Sequence, residues 1–233
     1  MFKKKLVINY ESLYEYYPNP IGSSKNYVPD WYKNISKWKN NEMFDIATKK
    51  FNPTLKHCVP FLEAMISGYM ITLPYDLYVK NDSESSYLSW NSIEYPPGVR
   101  DNVADPALVP IGHYPIEYLW TYPLSHTIPK GYSLLFTHPL NRHDLPFTTL
   151  SGIVDGDFIM YAGGQVPFYI KKDFEGVIPK GTPIVQIILF RSENWKSKKT
   201  KGLLKLGELQ KKQATSVFFN FYKNAYWKRK KYD

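Results

Sequence analysis

The chain of 233 residues is 43% hydrophobic, 22% charged and 17% aromatic, a composition that excludes disordered, collagen-like and coiled-coil proteins. Its single cysteine, Cys58, excludes an intrachain disulfide framework and a cysteine-only zinc site. No run approaches the ~20 apolar residues of a membrane span, and the apolar run after Lys5 is too short for a signal peptide. We therefore expect no membrane partner and a cytoplasmic location.

The positive charge is concentrated at the C-terminal end. The formal net charge is +9, and residues 191–233 hold 13 Lys/Arg against 3 Asp/Glu, which is +10 and leaves −1 for residues 1–190. A basic tail suits an anionic partner such as nucleic acid, because neutralised phosphates release counterions. The alternatives are that it keeps an aromatic-rich protein in solution or docks onto the body or a neighbouring subunit.

Residues 1–56 are predicted to form an irregular, aromatic N-terminal arm. The stretch 18–24 is rich in proline, glycine, asparagine and serine, the residues of turns and loops. A short helix is expected after Pro29. Tyr14, Tyr16 and Tyr17 are expected to plug a core or an interface rather than to bind a ligand.

Residues 57–190 are predicted to form a mainly-β core domain. After a short helix over 60–67, turn residues separate many short β-branched or aromatic runs, and such spacing is typical of an all-β barrel or sandwich. The predicted strands are 68–73, 76–80, 87–90, 119–122, 132–136, 151–154, 158–161, 166–170 and 184–190. A long loop is expected over 94–112. Within the basic tail, 191–233, the leucines among lysines over 202–213 predict an amphipathic helix.

Two similar turns bracket an acidic segment. Ile128-Pro129-Lys130-Gly131-Tyr132 and Ile178-Pro179-Lys180-Gly181-Thr182 each lead into an apolar strand, and Gly152-Ile153-Val154-Asp155-Gly156-Asp157-Phe158 lies between them. This layout, over about 127–190, resembles the trimeric dUTPase and dCTP deaminase superfamily. The resemblance implies a dUTPase-like distorted β-barrel, called a β-clip, with the irregular arm and the helical basic tail added to it.

The resemblance also implies a binding site. Asp155 would orient a catalytic water, and a carboxylate there could accept a proton from it. Phe158 would pack on a sugar, Gly152 opens the same element, and Gln186 would contact phosphate. Arg142 could bind an anion in place of the family's phosphate cradle.

Several departures from the family pattern bear on catalysis. The family's phosphate-binding Arg-Ser-Gly is replaced by residues 137–144, and the Asp and Arg of its last element are replaced by Thr182 and Pro183. A lysine-rich tail stands in place of its glycine-rich C-terminal arm. A triphosphate needs several positioned donors. We therefore expect a non-catalytic or weakly catalytic protein that binds a nucleotide or another anionic ligand. The alternatives are a divergent Mg²⁺-dependent nucleoside triphosphate pyrophosphatase, and a virion or assembly component acting through its arm and tail.

The whole chain, especially 27–33 and 58–65, also resembles an uncharacterised family of tailed-phage proteins, which implies the cytoplasm of a bacterial host. The superfamily builds its pocket between subunits, so the resemblance implies a homo-oligomer, for which a trimer is one form. No metal site is predicted, because the adjacent His143 and Asp144 would point to opposite faces of a strand.

Overall fold

The structure is a computed structural model that describes residues 6–92, 96–101, 103–156, 163–216 and 221–232. It is mainly β, with 35% strand and 17% helix, which confirms the mainly-β part of the predicted fold class, whereas the dUTPase-like part stays a prediction. The predicted strand at 158–161 lies outside the described residues.

Sixteen short strands run through the described part of the chain. In chain order they are β1 (Asn9–Ser12), β2 (Ile21–Ser23), β3 (Phe44–Asp45), β4 (Lys50–Phe51), β5 (Tyr69–Thr72), β6 (Leu77–Asn81), β7 (Ser86–Trp90), β8 (Gly98–Asp101), β9 (Glu117–Thr121), β10 (Leu124–Thr127), β11 (Tyr132–Thr137), β12 (Phe147–Thr149), β13 (Gly152–Asp155), β14 (Gln165–Ile170), β15 (Gly176–Ile178) and β16 (Pro183–Arg191). The helices are α1 (Asp30–Asn34), α2 (Val59–Ile66), α3 (Leu203–Ser216) and α4 (Phe221–Ala225), with 3₁₀ turns at Ser24–Tyr27, Lys39–Asn41 and Leu55–His57.

Three antiparallel sheets share one hydrophobic core. Their strand orders are β13-β11-β16-β5-β2, β12-β14-β9-β8 and β15-β6-β7. Core residues come from all three, among them Phe136, Phe168 and Leu77. Within the described residues the sheets do not close into a barrel.

Aromatic rings fill the centre of this core. Trp120 and Phe168 stack with ring centroids 3.5 Å apart and planes 4° from parallel. The buried indole nitrogen of Trp120 donates to Thr149 Oγ1 at 3.1 Å, so its polar group is satisfied. The high aromatic content of the sequence thus supplies much of the apolar area that is buried.

The segment predicted to be irregular contributes strands to the body. β1 pairs with β10, and β2 pairs with β5 at the edge of the five-stranded sheet. β8 likewise lies inside the stretch predicted as a long loop, where it pairs with β9. Strands of three or four residues are too short to show the alternation of apolar and polar residues that marks a strand in a sequence. Their partners are also distant in the chain, so no local pattern predicts them.

The two Pro-x-Gly turns form as predicted. Gly131 and Gly181 have φ values of 76° and 84°, the left-handed region in which glycine carries no steric penalty. The second turn is closed by a hydrogen bond from Thr182 N to Pro179 O at 3.1 Å. The carboxylate of Asp76 accepts from Lys180 N at 2.7 Å, which fixes Lys180 at the surface beside the β5–β6 connection.

Candidate functional site

Asp155, the predicted catalytic residue, ends β13 with its side chain exposed. Its carboxylate accepts a hydrogen bond from the hydroxyl of the buried Ser133 at 2.8 Å, and that hydroxyl also contacts Ser192. Within the described residues, no cation lies within ion-pair distance of Asp155. The carboxylate is exposed, and its side-chain hydrogen-bond partner among the described residues is the Ser133 hydroxyl.

Two further predicted ligand residues flank Asp155 in sequence. Gly152 begins β13, opposite Phe136, and is exposed, with open space where a Cβ would lie. Phe158 lies outside the described residues.

Arg142 links the turn that follows β11 to the N-terminal segment through its hydrogen bonds. Its guanidinium makes two-pronged hydrogen bonds to Asp144 at 2.8 to 3.1 Å and donates to the carbonyl of Tyr27 at 3.1 Å. Trp31 also donates to Asp144. Burial pushes the pKa of Asp144 upward, but the hydrogen bonds from Arg142 and Trp31 outweigh burial and hold the pKa below its ordinary value. The guanidinium is therefore already paired with an anion.

Gln186 is fully buried on β16, with 0% of its surface exposed. Its amide nitrogen donates to the carbonyls of Ala64 and Ser67 at 2.9 and 2.7 Å, and its amide oxygen accepts from Leu140 N at 2.8 Å. Because an amide has two donor hydrogens, both are engaged by the backbone. A phosphate would have to displace these contacts to reach Gln186.

Strand register separates the predicted residues. Asp155 stands opposite Ser133 at the start of β11, whereas Gln186 stands opposite Thr137 at its end. Four residues of strand span about 13 Å. Arg142, in the turn that follows β11, lies toward the Gln186 end. The structure therefore brings Arg142 and Gln186 to one end of β11 and Asp155 to the other.

His138, which is partly buried, forms hydrogen bonds through both of its ring nitrogens. His138 Nε2 bonds to the carbonyl of Arg142 at 3.0 Å, and its Nδ1 accepts from Thr149 N at 3.3 Å. Burial lowers the pKa of both His138 and His126, so the neutral imidazole is favoured. Among the described residues, no group of three or more His, Cys, Asp or Glu could hold a metal ion.

An open cleft of about 430 Å³ lies where the N-terminal segment crosses the second Pro-x-Gly turn. We call it the Lys180 cleft. Its lining comes from four separate segments: Tyr16, Pro74–Asp76, Asn91 with Ser92, and Lys180. The hydroxyls of Tyr16 and Ser92 lie 3.4 Å apart, which closes one side.

The Lys180 cleft holds one cationic and one anionic side chain, Lys180 and Asp76, and these do not form an ion pair with each other. The Lys180 ammonium lies 5.1 Å and 5.8 Å from the ring centroids of Tyr17 and Tyr16, within the range of cation–π attraction. No carboxylate in the described part of the chain is within ion-pair distance of this ammonium, since Asp76 bonds to the backbone nitrogen of Lys180 instead. Burial, with a smaller effect from Tyr16, raises the pKa of Tyr75, so this hydroxyl stays neutral in the wall.

Other cavities have a different character. One of about 420 Å³ is lined mostly by apolar side chains such as Trp90, Val99 and Ile116. Another, of about 450 Å³, contains Arg142 and Lys33, but Asp144 and Asp30 pair with these cations at 2.8 and 2.9 Å. Compared with these, the Lys180 cleft combines an ammonium that forms no ion pair in the described residues with exposed ring surface.

Sequence reasoning identified the turn that holds Lys180 but not the cleft. Tyr14 is buried, as expected for a residue that plugs the core, whereas Tyr16 is exposed and lines the cleft. The run of tyrosines before Pro18 was an available signal for a ring-lined surface. The contact between Tyr16 and Lys180 could not be predicted from local sequence, because the two residues are 164 positions apart in the chain.

Comparison with known proteins adds no assignment. No protein-family model matches the chain, and no curated protein matches it. In the described residues, no helix has both the length and the apolar character to cross a membrane.

Proposed function

We propose that this protein is a non-catalytic or weakly catalytic member of the dUTPase-like, β-clip type, which binds a nucleotide or another anionic ligand in the Lys180 cleft. The observation that carries the proposal is the unpaired Lys180 ammonium beside the Tyr16 ring in an open cleft. The ligand class is the one expected from the sequence, but the site lies at Lys180 rather than at Asp155.

The cleft has the size and chemistry for such a ligand. Its volume of about 430 Å³ falls within the 300–1,000 Å³ typical of ligand pockets. The exposed ring of Tyr16 offers a face on which a base can stack. The Lys180 ammonium would bind a phosphate as a point charge, and Asn91 and Ser92 supply neutral hydrogen-bonding groups.

The second Pro-x-Gly turn links the cleft to the family resemblance. Lys180 and Gly181 begin the element that resembles the superfamily's last motif, and this turn presents Lys180 to the cleft. Mg²⁺ enters the proposal only as the companion of a bound nucleotide, since this ion is usually held by one or two carboxylates together with substrate phosphates. The resemblance to tailed-phage proteins supports the proposal that the protein acts in the cytoplasm of a bacterial host.

Thermal shift with a panel of nucleoside triphosphates, with and without Mg²⁺, tests the proposal. A ligand that binds the folded state raises the melting temperature, and we expect this rise to be lost in Lys180→Gln and in Tyr16→Ala. Lys130→Gln is the matched control, because Lys130 occupies the same position in the first Pro-x-Gly turn and is exposed. Asp155→Asn is expected to keep the rise. If no nucleotide shifts the melting temperature, or if Asp155→Asn alone abolishes the shift, the assignment to this cleft is wrong.

A second candidate, an assembly component, is favoured by the β3–β4 hairpin. The hairpin exposes several large apolar side chains: Met43, Phe44, Ile46 and Phe51. Ile46, in the turn between the strands, is 86% exposed. Clustered exposed apolar groups mark interaction surfaces, and a second copy of the chain, as in a trimer, would cover them.

A further inference from the structure

A long lysine-rich segment lies fully on the surface. Every residue of 191–211 is exposed, from the end of β16 to the middle of α3. We call this segment the strap. It carries seven Lys/Arg and two Asp/Glu, and no acidic residue occurs between 194 and 207.

The strap is attached to the body on both sides. On its N-terminal side, Ser192 N donates to Gly131 O at 3.0 Å, next to the end of β16. Beyond its C-terminal side, Lys230 bonds to the carboxylate of Glu63 on α2, and Tyr232 packs edge-on against Tyr69 with ring centroids 6.3 Å apart. The strap therefore lies between two points of attachment and is not a free chain end.

Five of the strap's seven cations, all of them lysines, are available to a partner molecule. Arg191 is not one of them, because it pairs with Glu193 at 3.4 Å. Within the described part of the chain, no ion-pair partner exists for the five lysines between Trp195 and Leu206, which are Lys196, Lys198, Lys199, Lys201 and Lys205. Residues 192–200 form neither helix nor strand, so the backbone can follow an extended ligand. Trp195 begins the lysine run with 89% of its surface exposed.

These features match the chemistry of single-stranded nucleic acid. Proteins that bind single strands combine cations along the backbone with exposed rings on which unpaired bases stack. An indole with this exposure would otherwise be a liability on a protein surface. Trp195 next to a run of unpaired lysines provides both groups within a few residues.

An anionic membrane surface fits the strap less well. A helix that lies on a membrane needs an apolar face separated from its charged face. In α3, Leu204 and Lys211 are seven residues apart and therefore share one face, which mixes the two kinds of side chain. The extended part of the strap, with Ser197 and Thr200 among its lysines, has no apolar face at all.

We propose that the strap binds single-stranded nucleic acid, with the five lysines on phosphates and Trp195 stacked on a base. The inference rests on the strap alone and is independent of the Lys180 cleft. Because each neutralised phosphate of a single strand contributes about −0.7 to the slope of log affinity against log salt, five contacts predict a slope of about −3.5.

The test is fluorescence anisotropy of a labelled oligothymidine with the full-length protein. Between about 50 mM and about 200 mM salt, we expect affinity to fall roughly 100-fold. In Lys198→Gln/Lys199→Gln the same change in salt is expected to cost only about 20-fold. Trp195→Ala is expected to weaken binding about tenfold at every salt concentration, with the slope unchanged, because stacking releases no counterions.

The matched control is Lys37→Gln/Lys39→Gln, an exposed lysine pair that precedes the β3–β4 hairpin, with the same loss of charge. This variant is expected to keep the wild-type affinity and slope. The proposal is overturned if the wild-type protein does not bind the oligonucleotide at low salt, or if the control variant weakens binding as much as the strap variant. Tighter binding to phosphatidylserine vesicles than to oligothymidine, with loss of vesicle binding in the strap variant, also overturns it and assigns the strap to membranes.

Discussion

Gln186 joins three segments of the chain through one buried amide. Its hydrogen bonds reach the end of α2 at Ala64, the following Ser67, and Leu140 in the turn after β11. A side chain with all its polar atoms satisfied in the core contributes to stability, and its loss leaves those backbone groups unpaired. Burial and hydrogen bonding therefore assign Gln186 a structural role in the folded chain.

Gln186→Ala is expected to lower the free energy of unfolding by about 3 kcal/mol, since three hydrogen bonds at about 1 kcal/mol each are lost. Urea denaturation monitored by tryptophan fluorescence measures this change. The control is Gln210→Ala, because Gln210 is exposed on α3 and its loss is expected to change stability by less than about 0.5 kcal/mol. Equal stability of the two variants would contradict the role given to Gln186.

His138 makes stability depend on pH. Its folded-state pKa lies below the ordinary value of 6.5 because the imidazole is buried. The unfolded state therefore binds a proton first as pH falls, and stability present above about pH 6.5 is lost below it.

We expect the free energy of unfolding of the wild-type protein to fall between about pH 7 and pH 5. His138→Gln, which cannot titrate there, is expected to show a shallower fall. Gln210→Ala is the control, since Gln210 is exposed on α3 and does not titrate, so its replacement should leave the wild-type slope unchanged. Urea midpoints measured across this pH range decide the matter, and a wild-type slope retained in His138→Gln would count against the assignment.

At the scale of elements, the sequence predicts individual strands better than their partners. β11, β14 and β16 have six to nine residues rich in β-branched and aromatic side chains, and their positions are predicted closely. β1 and β2 have four and three residues and pair with strands more than 45 residues away, so no local pattern marks them. Such short strands form because tertiary pairing supplies the hydrogen bonds that their own sequence does not specify.

The β3–β4 hairpin provides the test of self-association. If copies of the chain meet through it, Ile46→Lys is expected to shift the protein toward monomer, because a charge would be buried at the interface. Sedimentation velocity measures the distribution of species. Ile111→Lys is the matched control, as Ile111 is an equally exposed isoleucine in a different loop. A monomeric wild-type protein, or the same response in both variants, would refute this role of the hairpin.

At the scale of the whole molecule, the net charge is unevenly divided between two parts of the chain. The body, residues 1–190, has a net charge of −1, whereas residues 191–233 carry +10. This division is visible in the sequence, because charge can be counted without knowing the fold. The Lys180 cleft could not be found in that way, since its lining comes from four segments that only the folded sheets bring together.

The most direct measurement is a crystal structure of the protein grown with a non-hydrolysable deoxynucleoside triphosphate. The account predicts density for the ligand in the Lys180 cleft, with the base on the Tyr16 ring and a phosphate oxygen within hydrogen-bond distance of Lys180 Nζ. Density beside Asp155 instead, or an empty cleft at a ligand concentration that saturates the thermal shift, would contradict it.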